Sequence, residues 1–284
     1  MSLTHNWRTV DQNRVDDLVE HYSKSPLVIW AARSVFTTLW YAALWEVPAD
    51  ILPKRKVQSA AMRQAREETQ EKTRWILCLR PLEVNISPED LEKIQEADNN
   101  MFFINHQAQA DIPRTCELLG KILGTHANTH FVMKPWVPFP WIFKAGWWIV
   151  LKRWKDLKKE EETGKVDNRW HLLNPDELSS FFEAFMKTPG RNIVVYSQWT
   201  RAKWKTEQQR VNRAFNFNPR VIWAMTKHIE STPNAQHVCI AFDYRDDDVV
   251  WASIKVLSQE EKEENKLSES VNWFLEIVKN KIVG

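Results

Sequence analysis

Apolar and polar positions change their spacing repeatedly along this chain, and the changes divide it into strands and helices. Short runs rich in apolar, β-branched or aromatic residues predict strands at 101–104, 131–133, 148–151, 193–196, 238–242 and 249–256. The stretch 75–86 is also strand-like, with a turn near Arg80-Pro81. Ser87-Pro88-Glu89-Asp90 supplies a side-chain cap and a first-turn proline for a helix through 91–97. Asp111-Ile112-Pro113 opens a helix that runs to about Leu123, and Asn174-Pro175-Asp176-Glu177 starts one over 178–186. From Ser258 the chain reads as a long charged helix with Val271, Phe274, Leu275 and Val278 on one face. Strands alternating with helices of this length predict an α/β fold, a central sheet covered by helices on both faces.

The first 74 residues have a different character. Residues 1–24 are polar and lack the short basic start of a cleaved signal peptide. Ser25-Pro26 then caps a helix over 27–47, long enough for a bilayer core, which needs about 20 residues. Arg33, Ser34, Thr37, Thr38 and Tyr41 recur at helical spacing and give that helix a polar stripe. A stripe of this kind suits a helix lying in the membrane interface or packed in a bundle. Pro48 and Pro53 end it, and Lys54-Arg55-Lys56 follow, placed for anionic headgroups. A charged helix continues over 58–72. The expected organisation is an N-terminal helical, membrane-associated segment at 1–74, on the cytoplasmic face, and an α/β domain at 75–284. A soluble amphipathic helix is the competing reading of 27–47.

Charge and cysteine content change this picture little. The net charge of +2 does not imply a polyanion partner, and the acidic runs at 160–162 and 246–248 oppose nucleic-acid binding. Cys78, Cys116 and Cys239 are odd in number and far apart, with neither disulfide framework nor zinc spacing, and fit buried apolar positions in a reducing environment. His126 and His130 stand four apart, as in the H-E-x-x-H zinc motif. However, Ala127 replaces its glutamate and the pair leads into a strand, so no metal site is expected.

Candidate chemistry concentrates where the 101–104 strand stops. Asn105-His106 follows it, and Asp111 stands five residues beyond the histidine. The carboxyl rim of an α/β sheet is the usual place for ligands. A turn that returns Asp111 to His106 would fix the imidazole tautomer and strengthen it as a base, a dyad suited to deprotonating a hydroxyl. A strand-end histidine capping a helix is the alternative.

Three later stretches follow in order: Phe131-Val-Met-Lys-Pro-Trp-Val-Pro-Phe-Pro-Trp141 with Ala145 to Arg153, then Asn192-Ile-Val-Val-Tyr-Ser-Gln-Trp-Thr-Arg201, then Asn218-Pro219-Arg220. With Asn105, His106 and Asp111, they resemble the four blocks of the glycerolipid acyltransferase family, which includes the lysophosphatidic acid acyltransferases. The likeness spans roughly Leu82 to Tyr244, and the charged insert after Arg153 is similar to that of a bacterial membrane-bound branch. It implies a twisted mixed central sheet flanked by helices, as in glycerol-3-phosphate acyltransferases, preceded by the N-terminal helical segment. It also implies transfer of an acyl group from acyl-CoA or acyl carrier protein to a lysophospholipid hydroxyl. Neither donor leaves a resident cofactor, and no metal is required.

By the same resemblance His106 is the general base, with Asp111 orienting it. Asn105, Arg153, Gln198, Thr200 and Arg201 would hold the acceptor, the guanidinium forks gripping its phosphate, with Lys134 in support. Departures accompany the matches: Gln198 replaces a glutamate, and Trp199, Trp141 and Trp223 stand at family glycines. The chain holds 16 Trp and 6 Gly, where average usage gives roughly 20 Gly. Glycine permits close backbone approach to a ligand, and an indole does not. A member of the fold that binds lipid without turnover is therefore the competing functional reading.

Overall fold

The computed structural model describes residues 10–23, 81–105, 111–124, 129–133, 148–152, 158, 162–164, 171–196, 219–243, 249–263, 266–267 and 269. Among them, strands β1 (Leu82–Asn85), β2 (Asn100–Ile104), β3 (Thr129–Met133), β4 (Ile149–Leu151), β5 (His171–Leu172), β6 (Asn192–Tyr196), β7 (Gln236–Asp243) and β8 (Val250–Val256) join in one mixed sheet. Its order is β1-β8-β7-β2-β6-β3-β4-β5. From β7 to β5 every neighbouring pair is parallel; β8 runs antiparallel to β7, and β1 is parallel to β8. Five helices accompany it: α1 (Gln12–Tyr22), α2 (Pro88–Glu96), α3 (Asp111–Leu123), α4 (Pro175–Phe185) and α5 (Pro219–Ser231). The α/β class and the mixed sheet expected from the sequence are present.

Alternation along the central strands builds two separate cores. Met101 and Phe103 of β2, Ile193 and Val195 of β6, and Cys239 and Ala241 of β7 point to one face. There they meet Val15, Leu18 and Tyr22 of α1, Phe181, Phe182 and Phe185 of α4, and Met225 and Ile229 of α5. Phe102 and Ile104, Val194 and Tyr196, and Val238 and Ile240 face the other way, onto Ile94 of α2 and Leu118, Leu119 and Ile122 of α3. A strand buried on both faces cannot alternate apolar with polar, which is why β2 reads as an unbroken apolar run. All five of its residues are buried.

The caps were written in the sequence. Ser87 Oγ accepts the amide of Asp90 at 3.1 Å to start α2, and Asn174 Oδ1 accepts the amide of Glu177 at 2.7 Å to start α4. Each satisfies one of the amides that a helix N-terminus leaves without a partner.

Three elements depart from the sequence reading. Helix α1 falls within residues expected to be merely polar, yet Val15, Leu18 and Tyr22 recur on one face and are buried. It is built into the sheet domain: Arg14 Nε lies 3.2 Å from Glu177 of α4, and the Tyr22 hydroxyl accepts the Val150 amide of β4 at 3.3 Å. Helix α5 occupies a stretch read only as a proline-containing motif. Where a long helix was expected to start at Ser258, the chain first makes a short 3-10 turn, Glu260–Lys262, followed by extended Glu263. Ser258 and Glu261 exchange backbone amides as a capping box would. The Glu261 carboxylate is also held by Lys255 of β8, which draws the turn onto the sheet. Lys266, Leu267 and Glu269 are helical again, while Val271, Phe274, Leu275 and Val278 lie outside the described residues. So do the expected helices at 27–47 and 58–72, the basic cluster 54–56 and the strand-like residues 75–80.

Two histidines are enclosed near the amino ends of the central strands. Among the described residues neither ring nitrogen of His228 has a hydrogen-bond partner, and its ring meets Phe182 edge-on at 5.0 Å. Burial lowers its pKa to about 4. His237 stacks near Phe103 at 6.4 Å, and its Nε2 lies 3.0 Å from Thr232 Oγ1. Burial, helped by the Lys262 charge, lowers its pKa to about 3. Between the ordinary value near 6.5 and these values, the unfolded chain binds protons that the folded chain refuses. Stability is therefore fully present above about pH 6.5 and falls as pH drops, by about 1.4 kcal/mol per pH unit for each histidine at most. Urea midpoints at pH 7.5 and pH 5 should show the loss, and His228→Leu should remove about half of the histidine part. An undiminished pH dependence in that variant would refute the assignment.

Candidate active site at the carboxyl edge of the sheet

The carboxyl ends of β2, β6, β3 and β4 lie side by side, because these four strands are parallel neighbours. Asn105, Tyr196, Met133 and Lys152 are the last described residues there before the chain continues into 106–110, 197–218, 134–147 and 153–157. The strands that lead into the first three sequence blocks thus end at one edge, although they are spread along the chain, while Pro219 and Arg220 of the fourth stand at the start of α5. His106, Lys134, Trp141, Arg153, Gln198, Trp199, Thr200 and Arg201 lie outside the described residues.

Asn105 and Asp111 are described, and both are buried. Asn105 was expected to contact the acceptor, but its amide is committed elsewhere. Its Nδ2 donates to the Phe242 carbonyl at 3.0 Å, and its Oδ1 accepts the Phe242 amide at 2.8 Å. Its own backbone amide donates to Ile240 at 3.3 Å. The side chain thus imitates one more residue of the parallel ladder and carries β2–β7 pairing up to the point where His106 begins.

Asp111 is the first residue of α3, where a carboxylate is favoured by the helix dipole. One turn on, Thr115 Oγ1 donates back to the Asp111 carbonyl at 2.6 Å. Thr115 Oγ1 also lies 3.2 Å from the Tyr196 hydroxyl. The single threonine proton is used on Asp111, so the tyrosine is the donor of the second bond. Tyr196 pairs in register with Ile104, so the first turn of α3 is tied to the carboxyl ends of β6 and β2 together. Asp111 thus stands near the strand ends, while the turn expected to return it to His106 lies outside the described residues.

Tyr196 is held from the side as well. Its ring lies 6.5 Å from Phe131 at a 24° angle, and Phe131 lies 5.1 Å from Trp148, a ladder of rings across β6, β3 and β4. Burial raises the tyrosine pKa well above 10, and the Asp111 and Cys116 charges raise it further. The phenol stays protonated and remains a donor at physiological pH.

Tyr196, Thr115, Arg114 and Lys152 were not singled out by sequence. Arg114 is buried beside this turn and pairs with Glu117 at 2.6 Å. Lys152 is 2% exposed. A hydroxyl ending an apolar strand was the available signal for Tyr196, since a buried phenol needs a partner. For Thr115 the signal was its position four residues from Asp111, on the same helical face.

Other sequence candidates resolve differently. Cys116 and Cys239 are buried thiols, and burial pushes Cys239 up to about 12, which makes it inert. His130 sits buried in β3 with Nε2 3.1 Å from the Tyr22 carbonyl; His126 lies outside the described residues. Among the described residues no group of three or more His, Cys, Asp or Glu is placed to hold a metal. Trp223 is 47% exposed on α5, with the Lys227 ammonium 4.8 Å from its ring, so this indole faces outward. Compared with known proteins, the chain matches no family model and no curated protein.

Replacing Asn105 by alanine should remove two side-chain bonds to the buried Phe242 backbone. A destabilisation of about 1–3 kcal/mol is expected in urea unfolding. Asn105→Asp should also destabilise, because a carboxylate would then oppose the Phe242 carbonyl. Wild-type midpoints for both variants would show that the side chain is dispensable to β2–β7 pairing.

Proposed function

We propose that this protein is an O-acyltransferase that moves a fatty acyl group from acyl-CoA or acyl carrier protein to a lysophospholipid hydroxyl. Lysophosphatidic acid is the leading acceptor, and the reaction belongs to phospholipid synthesis or remodelling. The observation that supports this reading is that the strands leading into the first three blocks end side by side at one carboxyl edge, with Asp111 beside them. The finer fold assignment, to the glycerol-3-phosphate acyltransferase type, belongs to the same proposal.

In this reading His106 takes the proton of the acceptor hydroxyl, which attacks the thioester carbonyl. The tetrahedral intermediate collapses, the C–S bond breaks, and the thiol leaves with a proton. No acyl-enzyme is needed. Asp111 stabilises the imidazolium that forms, and Arg153 and Arg201 hold the phosphate of the acceptor. Gln198 and Thr200 bond its glycerol oxygens. Asn105 acts in the background, fixing the strand end from which His106 follows. In this reading the protein works at the cytoplasmic face of a membrane, with the basic cluster 54–56 meeting anionic headgroups. Among the described residues no helix is long and apolar enough to cross a membrane.

The departures at Gln198 and Trp199 favour one second reading, a scaffold of this fold that binds lipid without turnover. Thiol release from acyl-CoA in detergent micelles, with a panel of lysophospholipids, separates the two. Acceptor-dependent release is expected from the parent, with His106→Ala about 10²–10⁴-fold slower. No release from folded parent, together with activity created by Gln198→Glu and Trp199→Gly combined, would establish the inactive scaffold instead.

A further inference from the structure

A cavity of about 320 Å³ opens at the amino edge of the sheet, between the end of α5, the start of β7 and the 3-10 turn. Its walls include Ile229, Glu230, Pro233, His237 and Lys262. His237 is the second residue of β7, whereas Phe242, which Asn105 holds, stands near the other end of that strand. At about 3.4 Å per residue the cavity lies roughly 17 Å from the carboxyl edge, apart from the candidate active site.

The proton count at Thr232 fixes what His237 can offer. Thr232 Oγ1 donates to the His228 carbonyl at 2.7 Å, so His237 Nε2, at 3.0 Å, is the donor of the bond between them. The neutral ring then keeps a bare Nδ1, an acceptor without a hydrogen-bond partner among the described residues. Lys262 is the opposite case. Lys93, Lys121, Lys187, Lys227, Lys255 and Lys266 each pair with a carboxylate, but half-buried Lys262 has none among the described residues. Its turn is held by the Ser258–Glu261 exchange and by Lys255, so the ammonium stands on a fixed support. Two carboxylates of the rim, Glu260 and Glu263, are drawn to Lys266 at 2.6 and 4.0 Å. Glu230 has no ion-pair partner among the described residues. The cavity therefore presents one unpaired cation and one unpaired carboxylate that do not reach each other, with apolar Ile229 and Pro233 in the same wall.

We infer that this cavity is a second ligand site, for a small zwitterion of the amino-acid class. The ligand carboxylate meets Lys262, its ammonium meets Glu230 or the bare nitrogen of His237, and its carbon chain lies on Ile229 and Pro233. A ligand carrying only an anion would leave Glu230 opposing it, and one carrying only a cation would face Lys262. A volume near the lower end of the range for ligand pockets, about 300–1,000 Å³, suits a molecule of this size. The site is independent of the acyl-transfer reading and is tested without turnover.

Four six-carbon probes separate the possibilities by titration calorimetry of the full chain at pH 7.5: leucine, 6-aminohexanoate, hexanoate and hexylamine. At least one of the two zwitterions should bind about fivefold more tightly than hexanoate or hexylamine, the worth of one added partly exposed ion pair. Lys262→Met and Glu230→Gln should each weaken that zwitterion about fivefold while leaving the urea midpoint near that of the parent. Saturation with it should also shift the NMR signals of the His237 ring. Hexanoate binding as tightly as both zwitterions would overturn the inference in favour of a plain anion site. So would the absence of zwitterion binding at millimolar concentration, or binding that neither variant weakens and His237 does not sense.

Discussion

Strand β2 is hydrogen-bonded along both edges, to β6 and to β7, and asparagine side chains complete its pairing at both ends. At the amino end, Asn99 Nδ2 donates to the Met186 carbonyl at 2.7 Å and its Oδ1 accepts the Arg191 amide at 2.9 Å. Asn100 Nδ2 reaches the Ile94 carbonyl and Asn192 Oδ1. At the carboxyl end, Asn105 does the corresponding work against Phe242. Buried backbone groups must be paired, and where a strand stops the ladder stops with it. An amide side chain has a donor and an acceptor and can stand in for the missing peptide. Both cores face β2, and the candidate site starts one residue beyond its last asparagine. Its register sets everything around it.

The two faces of the sheet divide the labour. The face beneath α1, α4 and α5 carries the phenylalanine cluster of α4, with Phe181 and Phe185 stacked at 5.2 Å. It also encloses His228 and His237, at a cost that grows with acidity. The face beneath α2 and α3 gathers polar groups at the carboxyl edge, where Asp111, Arg114, Thr115 and Tyr196 are all buried. Buried polar groups are tolerated when each finds partners, and such clusters hold a single arrangement more firmly than apolar packing does. That is the property a general base needs from its surroundings.

Much of the fold was legible because its strands are short, apolar and bounded by turn residues, and because Ser87-Pro88 and Asn174-Pro175 announce their helices. What escaped has a common cause. In α1, Val15, Leu18 and Tyr22 keep helical spacing, but charged neighbours outnumber them, so composition concealed the period. In α5, Ile222, Met225 and Ile229 were equally periodic behind a proline that drew attention as a motif. The turn at 260–262 is begun by the Ser258–Glu261 capping pair and held on the sheet by Lys255, a contact that helical periodicity does not report. At the site, His106 and Asp111 stood out through their spacing. The duty of Asn105 depends on a carbonyl and an amide 137 positions away, and that of Tyr196 on a hydroxyl 81 positions away. Spacing along a chain does not report such distances.

The seat of α1 has a consequence for how the chain comes to be folded. The Tyr22 carbonyl and hydroxyl meet His130 and Val150, which lie 108 and 128 positions later. At ribosomal speeds of about 5–20 residues per second, roughly ten seconds separate the synthesis of Tyr22 from that of its partners. A helix this short is marginal by itself in water. During that interval its apolar stripe has no native surface to cover, and the nascent segment must wait, shielded or adsorbed, until the strands beneath it exist. The earliest described helix is thus among the last to find its place, and closure of that face is a late event in the life of each new molecule.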